Sequence, residues 1–119
     1  MYFNFKLFSS LATRAYNKED DHIYSLDDVL RIFEYYFQKY EDTFHDVHPN
    51  IRAEQIERII AAMPYIEPTY GGSVADIEPQ DYGPLIDKHF QTQYRNCDYN
   101  INHFFSGDIR LLRYYEELY

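Results

Sequence analysis

The residues from Ser25 to Phe44 carry the pattern that most constrains the fold. Ser25 stands where a helix N-cap is expected, and Asp27 and Asp28 follow where the helix dipole favours negative charge. Beyond them, apolar side chains recur every three or four residues: Leu26, Val29, Leu30, Phe33, Tyr36, Phe37, Tyr40 and Phe44. This is the period of a helix with one buried face. The sequence therefore predicts a long helix whose apolar stripe contributes to a core.

Two further helices are predicted on either side of a loop. The segment TFHDVHPN should end the first helix, since Pro49 disfavours helical geometry at His48, and Asn50 can cap the segment 51–63. The apolar side chains of that segment share one side: Ile56, Ile59, Ile60 and Met63. Residues 79–94 carry a second stripe of the same period: Tyr82, Leu85, Ile86 and Phe90. Prolines and a Gly-Gly pair in residues 64–79 indicate a loop with at most a small hairpin near 66–78.

The N-terminal residues fit two patterns. Phe3, Phe5 and Leu7 alternate as in a strand, whereas the spacing of Phe5, Phe8, Leu11, Ala12 and Ala15 is that of a helix. We favour the helix. Residues 1–119 are thus predicted to form one mostly α domain of four to six helices, since the length suits a single domain. Its predicted core consists of Val29, Leu30, Phe33, Phe37, Ile56, Ile59, Ile60, Leu85, Ile86, Phe90, Phe104, Ile109 and Leu112.

The acidic balance of the chain limits the partners that it can attract. Twenty acidic residues against eleven Lys and Arg give a net charge of −9, so a phosphate backbone is repelled at long range unless the bases share one face. The acids are densest between Asn17 and Asp46. This stretch is either a solvated face that keeps a Tyr-rich chain in solution or a surface that docks on a basic groove of a partner. The 14 tyrosines can pack in a core or contact a partner, because the ring is apolar and the hydroxyl is polar.

The cysteine and apolar content favour a cytoplasmic protein. Cys97 is the single cysteine, so an internal disulfide cannot form and a reducing compartment is expected. No stretch of the sequence has the length and apolar character of a membrane span.

The C-terminal stretch 97–119 allows a helix-turn-helix. Asp98 or Asn100 can cap a short helix through Ser106, Gly107 suits the left-handed position after it, and Asp108 can cap a second helix. A DNA-binding role would use the nearby arginines Arg95, Arg110 and Arg113. Residues 94–119 hold three Arg against four acids, which is not a basic stripe. Nucleic-acid binding is therefore the alternative hypothesis, behind a packing or protein-binding role.

Candidate chemistry is sparse. His45 and His48 have a spacing that can hold a metal ion if both rings converge, with Asp42 as a possible third ligand. Histidines beside a helix-ending proline are more often surface residues or caps. Cys97 lies near His103 in sequence, and His89 could reach it in space, although no nucleophile motif surrounds the thiol. We expect no enzymatic activity, no metal and no cofactor.

Two segments suggest a biological context. The stretches IRAEQIERIIAAMPYI and CDYNINHFFSGDIRLLRYYEELY resemble small uncharacterised accessory proteins of Gram-positive mobile elements, such as phages and conjugative elements. The resemblance implies an accessory factor or an inhibitor of host machinery, whose negative surface would occupy a basic, nucleic-acid-binding groove of a host protein.

The leading functional hypothesis is a non-enzymatic, acidic, Tyr-rich protein-binding module that acts as a small inhibitor or adaptor. Its predicted contact residues are Glu34, Tyr35, Tyr36, Glu41 and Asp42 on an acidic face and Arg113, Tyr114 and Tyr115 on an aromatic face. Oligomeric state has no signal in the sequence.

Overall fold

The computed structural model describes residues 4–68, 74–92 and 97–105. The elements run in the order α1 (Phe5–Tyr16), α2 (Leu26–Phe44), α3 (Ala53–Ala62), β1 (Tyr65–Pro68), β2 (Val74–Ile77), a 3₁₀ turn (Pro79–Asp81), α4 (Tyr82–Gln91) and α5 (Ile101–Phe104). The mostly α fold is confirmed, and the five α-helices of the described residues fall within the predicted four to six. Of the two readings of the N-terminal residues, the helix is the one observed.

Short polar side chains cap the N-termini of three helices. The Asn4 side chain accepts a hydrogen bond from the Leu7 amide at 3.1 Å, and the Ser25 hydroxyl accepts one from the Asp28 amide at 3.2 Å. Asn100 caps α5 in the same way through the Asn102 amide. The caps predicted at Ser25 and Asn100 are confirmed. These bonds satisfy amide groups that have no partner inside the helix.

The predicted end of α2 is confirmed, whereas the predicted start of α3 is wrong. Helix α2 ends at Phe44, before Pro49, because His45 adopts a left-handed backbone conformation with φ 57°. Helix α3 begins at Ala53, with Arg52 rather than Asn50 at the cap position. There the Gln55 side chain accepts a hydrogen bond from the Arg52 amide at 3.0 Å.

The hairpin expected near 66–78 is confirmed as two antiparallel strands. Tyr65 pairs with Ile77, and Pro68 pairs with Val74. The Tyr24 hydroxyl donates a hydrogen bond to the Ile77 carbonyl, which fixes the end of β2 to the segment that precedes α2.

The core lies between the apolar face of α2 and the helices α1, α3 and α4. Helix α1 packs on α3 and α2, and α4 packs on α2. The rings of Phe8 and Phe33 meet edge to face with centroids 4.8 Å apart. Nine predicted core residues are buried: Val29, Phe33, Phe37, Ile56, Ile59, Ile60, Leu85, Ile86 and Phe104. Leu30 and Phe90 are partly buried against the core, whereas Ile109 and Leu112 lie outside the described residues.

Candidate functional site

Helix α2 carries exposed acidic side chains beside its apolar face. Glu34, Gln38 and Glu41 are exposed and lie on one stripe, because residues four and seven positions apart return to the same side of a helix. Asp42 is also exposed and accepts a hydrogen bond from the Gln38 side chain at 3.0 Å. The structure therefore brings together three of the predicted contact residues, Glu34, Glu41 and Asp42.

A groove runs beside this stripe and has a cavity volume of about 190 Å³. Phe5 of α1, Phe37 of α2 and Val47 of the following turn give it an apolar lining, and His48 completes the wall. Glu34 and Glu41 stand on its rim together with Gln38. We call this the α2 groove. Its carboxylates and apolar surfaces lie side by side.

The carboxylates of the α2 groove have no cationic partner within the described residues. The ion pairs there join Lys18 to Glu57, Lys39 to Asp87, and Arg52 to Glu54. None of these pairs includes Glu34 or Glu41, so no cation of the described residues competes with a group from outside for these two carboxylates. A cation that binds between them would gain charge-assisted hydrogen bonds.

Tyr35 does not line the α2 groove and contacts helix α4 instead. Its hydroxyl donates a hydrogen bond to the Asp87 carboxylate of α4 at 2.5 Å, and the Lys39 ammonium lies 3.2 Å from the same carboxylate. Partial burial, together with the hydrogen bond and the negative charge of Asp87, raises the pKa of Tyr35 to about 12. Tyr35 therefore belongs to the contact between α2 and α4, on the rim of a second groove of about 420 Å³ between these helices.

The prediction of Tyr36 as a surface contact is wrong. The side chain is fully buried, and its hydroxyl donates a hydrogen bond to the Tyr99 carbonyl at 2.7 Å. Burial raises the pKa of Tyr36 well above its ordinary value, so the phenol stays protonated. The helical stripe had already placed this residue on the apolar side of α2. That pattern, and not its neighbourhood of acids, decides its location.

The pairing of His45 and His48 as metal ligands is also contradicted. His45 is exposed, whereas His48 is buried with both ring nitrogens bound to backbone. The Pro49 carbonyl lies 2.7 Å from Nδ1, and the Ile101 amide donates to Nε2 at 3.0 Å. A ring engaged at both nitrogens has no lone pair to offer a metal. In the described parts of the chain, no three His, Cys, Asp or Glu residues converge as a metal site would require.

The predicted proximity of Cys97 and His89 is observed. The Cys97 sulfur lies 3.9 Å from Nε2 of His89, and the thiol is half-buried. His89 is fully buried against the rings of Tyr99 and Phe104, with centroids 5.1 and 5.0 Å away. A nucleophilic pair needs its base within reach of the reacting group. This imidazole is enclosed by aromatic rings, which is the environment of a core residue.

The remaining predicted residues lie outside the described part of the chain. These are the DNA-binding candidates and the aromatic face: Arg95, Arg110, Arg113, Tyr114 and Tyr115. The first helix of the proposed helix-turn-helix is described as α5, from Ile101 to Phe104.

Apart from Phe37, which was predicted for the core, sequence reasoning missed four residues of the α2 groove. Gln38 could have been found, because it lies one helical turn from Glu34 and almost one turn from Glu41. Phe5, Val47 and His48 come from other elements and carry no local sign of their common location.

Within residues 4–68, 74–92 and 97–105, no helix combines the length and apolar character that a membrane crossing requires. Comparisons with family models, curated proteins and solved structures yield no significant match to this chain.

Proposed function

We propose that this protein is a non-enzymatic binding module, a small inhibitor or adaptor, whose α2 groove holds a basic segment of another protein. The observation that carries the proposal is a pair of carboxylates on the rim of an apolar groove, Glu34 and Glu41, which have no ion-pair partner among the described residues. A single cysteine suits the reducing cytoplasm in which we place the protein.

The chemistry of the groove favours lysine or arginine side chains. Each has an apolar stem that packs on hydrophobic surface and a charged head that needs an acceptor. Phe5, Phe37 and Val47 suit the stem, and the carboxylates of Glu34 and Glu41 suit the head. A groove lined by acids alone would favour any cation, whereas this combination favours a long cationic side chain.

The net charge favours a partner with a basic, nucleic-acid-binding surface. At −9 the whole molecule attracts such a surface at long range and accelerates the encounter. Exposed carboxylates would then take the positions of phosphates. This mode of action is that of an inhibitor that competes with nucleic acid.

A labelled peptide of alternating lysine and alanine is the direct probe, with binding followed by fluorescence anisotropy. We expect binding that weakens with salt, and an E34K/E41K variant that binds about tenfold more weakly, because two attractions become repulsions. The matched control is D20K/D21K, which makes the same change in net charge on the segment between α1 and α2. The control should lose less than about threefold, since screening limits distant charges. Equal losses in the two variants would contradict a specific site.

Shortening the cationic side chain tests the apolar part of the groove. A peptide with ornithine in place of lysine keeps its charge and loses one methylene from each stem. We expect about fourfold weaker binding for each stem held in the groove, which corresponds to about 0.8 kcal/mol per buried methylene. Equal affinity for the two peptides would show that the groove recognises charge alone.

A further inference from the structure

His48 joins the α2 groove to α5. The side chain is one wall of the groove, and it is 1% exposed. On its other side, Nε2 accepts a hydrogen bond from the Ile101 amide, the first residue of α5, at 3.0 Å. One imidazole therefore contacts both the proposed binding site and a separate segment of the chain.

Two hydrogen bonds with backbone groups define the protonation state of His48. The Pro49 carbonyl can only accept, so Nδ1 must carry the proton that bonds to it at 2.7 Å. The Ile101 N–H can only donate, so Nε2 must offer its lone pair. This is the neutral Nδ1–H tautomer. A second proton would have to sit on Nε2, directly opposite the amide hydrogen of Ile101, and the hydrogen bond would be lost.

The bond to His48 is one of several that hold the backbone at residues 99–101, and the Asn100 amide donates another to the Asp98 carboxylate at 2.9 Å. A third comes from the Tyr36 hydroxyl, which donates to the Tyr99 carbonyl at 2.7 Å. Tyr99 itself has a left-handed backbone, with φ 58°, so this backbone depends on the surrounding bonds. Ile101 and Phe104 are fully buried, and loosening their segment would open part of the core.

Burial and the surroundings of His48 shift its pKa in opposite directions. Burial lowers the pKa of His48, while the bond to the Pro49 carbonyl and the charge of Asp98 act in the opposite direction. Helix α1 contributes only the apolar Phe5 to the shared groove wall. The titratable and charged groups that face the ring or share its groove are Glu34, Tyr36, Tyr40 and Glu41 of α2 and Asp98 before α5. His45 and Asp46 precede it in the turn, and His89 of α4 contacts the Tyr36 ring.

We propose that His48 is a proton-operated switch of the α2 groove. Protonation would remove the acceptor of the Ile101 amide and loosen the start of α5. It would also place a positive charge in the wall of a groove that, according to the proposed function, holds a cation. Mild acid should therefore weaken partner binding and α5 docking together. The part of the inference that concerns α5 is independent of any partner.

Hydrogen exchange of the Ile101 amide in the free protein tests the contact with α5. Below the pKa of His48, the protection factor of this amide, corrected for the intrinsic rate, should fall about tenfold for each pH unit. The amides of Ile59 and Ile60 in α3 should change much less. In His48→Gln the side-chain oxygen can still accept from Ile101 but does not titrate, so the pH dependence should disappear. His45→Gln changes an exposed neighbour and should retain it.

Two results would overturn this part of the proposal. One is a protection factor at Ile101 with the same pH dependence in His48→Gln as in the wild type. The other is loss of the dependence in His45→Gln. If His48→Gln fails to fold, NMR titration of the wild type decides: the His48 ring nitrogens and the Ile101 amide must report one common midpoint. Different midpoints would contradict the switch.

The lysine-alanine peptide tests the coupling to the groove. Wild-type affinity should fall about tenfold for each pH unit below the pKa of His48, because only the neutral fraction binds well. The affinity of the His48→Gln variant should not change over the same pH range, because Gln does not titrate. Equal pH profiles in the two proteins would overturn the coupling and leave the proposed function standing. A peptide that binds neither protein at any pH would overturn the coupling and the proposed function together, whereas the exchange result at Ile101 would be unaffected.

Discussion

At the scale of single residues, two adjacent tyrosines show how the helix period overrides local composition. Tyr35 and Tyr36 stand together beside Glu34 in the sequence, yet Tyr35 is exposed and Tyr36 is fully buried. Successive residues on a helix diverge by about 100°. Periodicity predicts the burial of Tyr36, but the Tyr99 carbonyl that it bonds is 63 positions away, and no local pattern identifies that partner.

This difference predicts unequal costs for the loss of the two hydroxyls. Tyr36→Phe leaves the Tyr99 carbonyl without its buried donor, so we expect the free energy of unfolding to fall by about 1–2 kcal/mol. Tyr35→Phe breaks a bond that water can replace, and the loss should stay below about 0.5 kcal/mol. Urea denaturation of both variants measures the two losses. Equal losses in the two variants would contradict the prediction that the buried hydroxyl contributes more to stability.

At the scale of elements, helix periods were predictable from the sequence and helix ends were less so. The stripes of α2, α3 and α4 are confirmed, as are α1 and the antiparallel strands. Helix α2 ends at Phe44 as predicted, but the left-handed backbone with φ 57° at His45 that ends it was not predicted. A left-handed conformation at a residue other than Gly has only a weak sequence signal.

The turn after α2 offers a stabilising substitution. A residue with a Cβ atom costs about 1–2 kcal/mol in the left-handed conformation, whereas glycine adopts it freely and loses only about 0.5–1 kcal/mol more chain entropy. His45→Gly should therefore raise the free energy of unfolding by about 0.5–1 kcal/mol. The bond from its amide to the Glu41 carbonyl is retained.

The control for this substitution is His45→Ala, which removes the imidazole but keeps the Cβ atom. It should bring no comparable gain. Thermal unfolding of the three proteins side by side tests the argument, and a His45→Gly protein no more stable than His45→Ala would contradict it.

At the scale of the whole molecule, the net acidic charge was evident from the sequence. Which carboxylates form ion pairs was not. Composition gives −9, but only the structure shows that Asp87 is paired with Lys39 while Glu34 and Glu41 have no such partner in the described residues. The α2 groove is similarly a product of the fold. Its apolar surfaces come from α1, α2 and the turn after α2, which approach one another only when the core has formed.

The net charge of the whole molecule also distinguishes the protein-binding hypothesis from the DNA-binding hypothesis. A protein of this charge should show little affinity for a short DNA duplex even at low salt, unless residues such as Arg95, Arg110 and Arg113 form a local basic strip. Filter binding at low salt measures this affinity. Retention of the duplex that falls steeply with salt and with Arg110→Ala would favour nucleic-acid binding over the α2 groove.

The central claim is that the α2 groove holds a cationic segment, and chemical-shift mapping by NMR tests it most directly. The labelled protein is titrated with the lysine-alanine peptide while its amide resonances are followed. We expect the largest shifts at Glu34, Gln38, Glu41 and Val47, with saturation at one common affinity, and their loss in E34K/E41K. Shifts concentrated instead at Asp21, Ile23 and Ala61, which line a separate groove between the segment before α2 and α3, would contradict the claim.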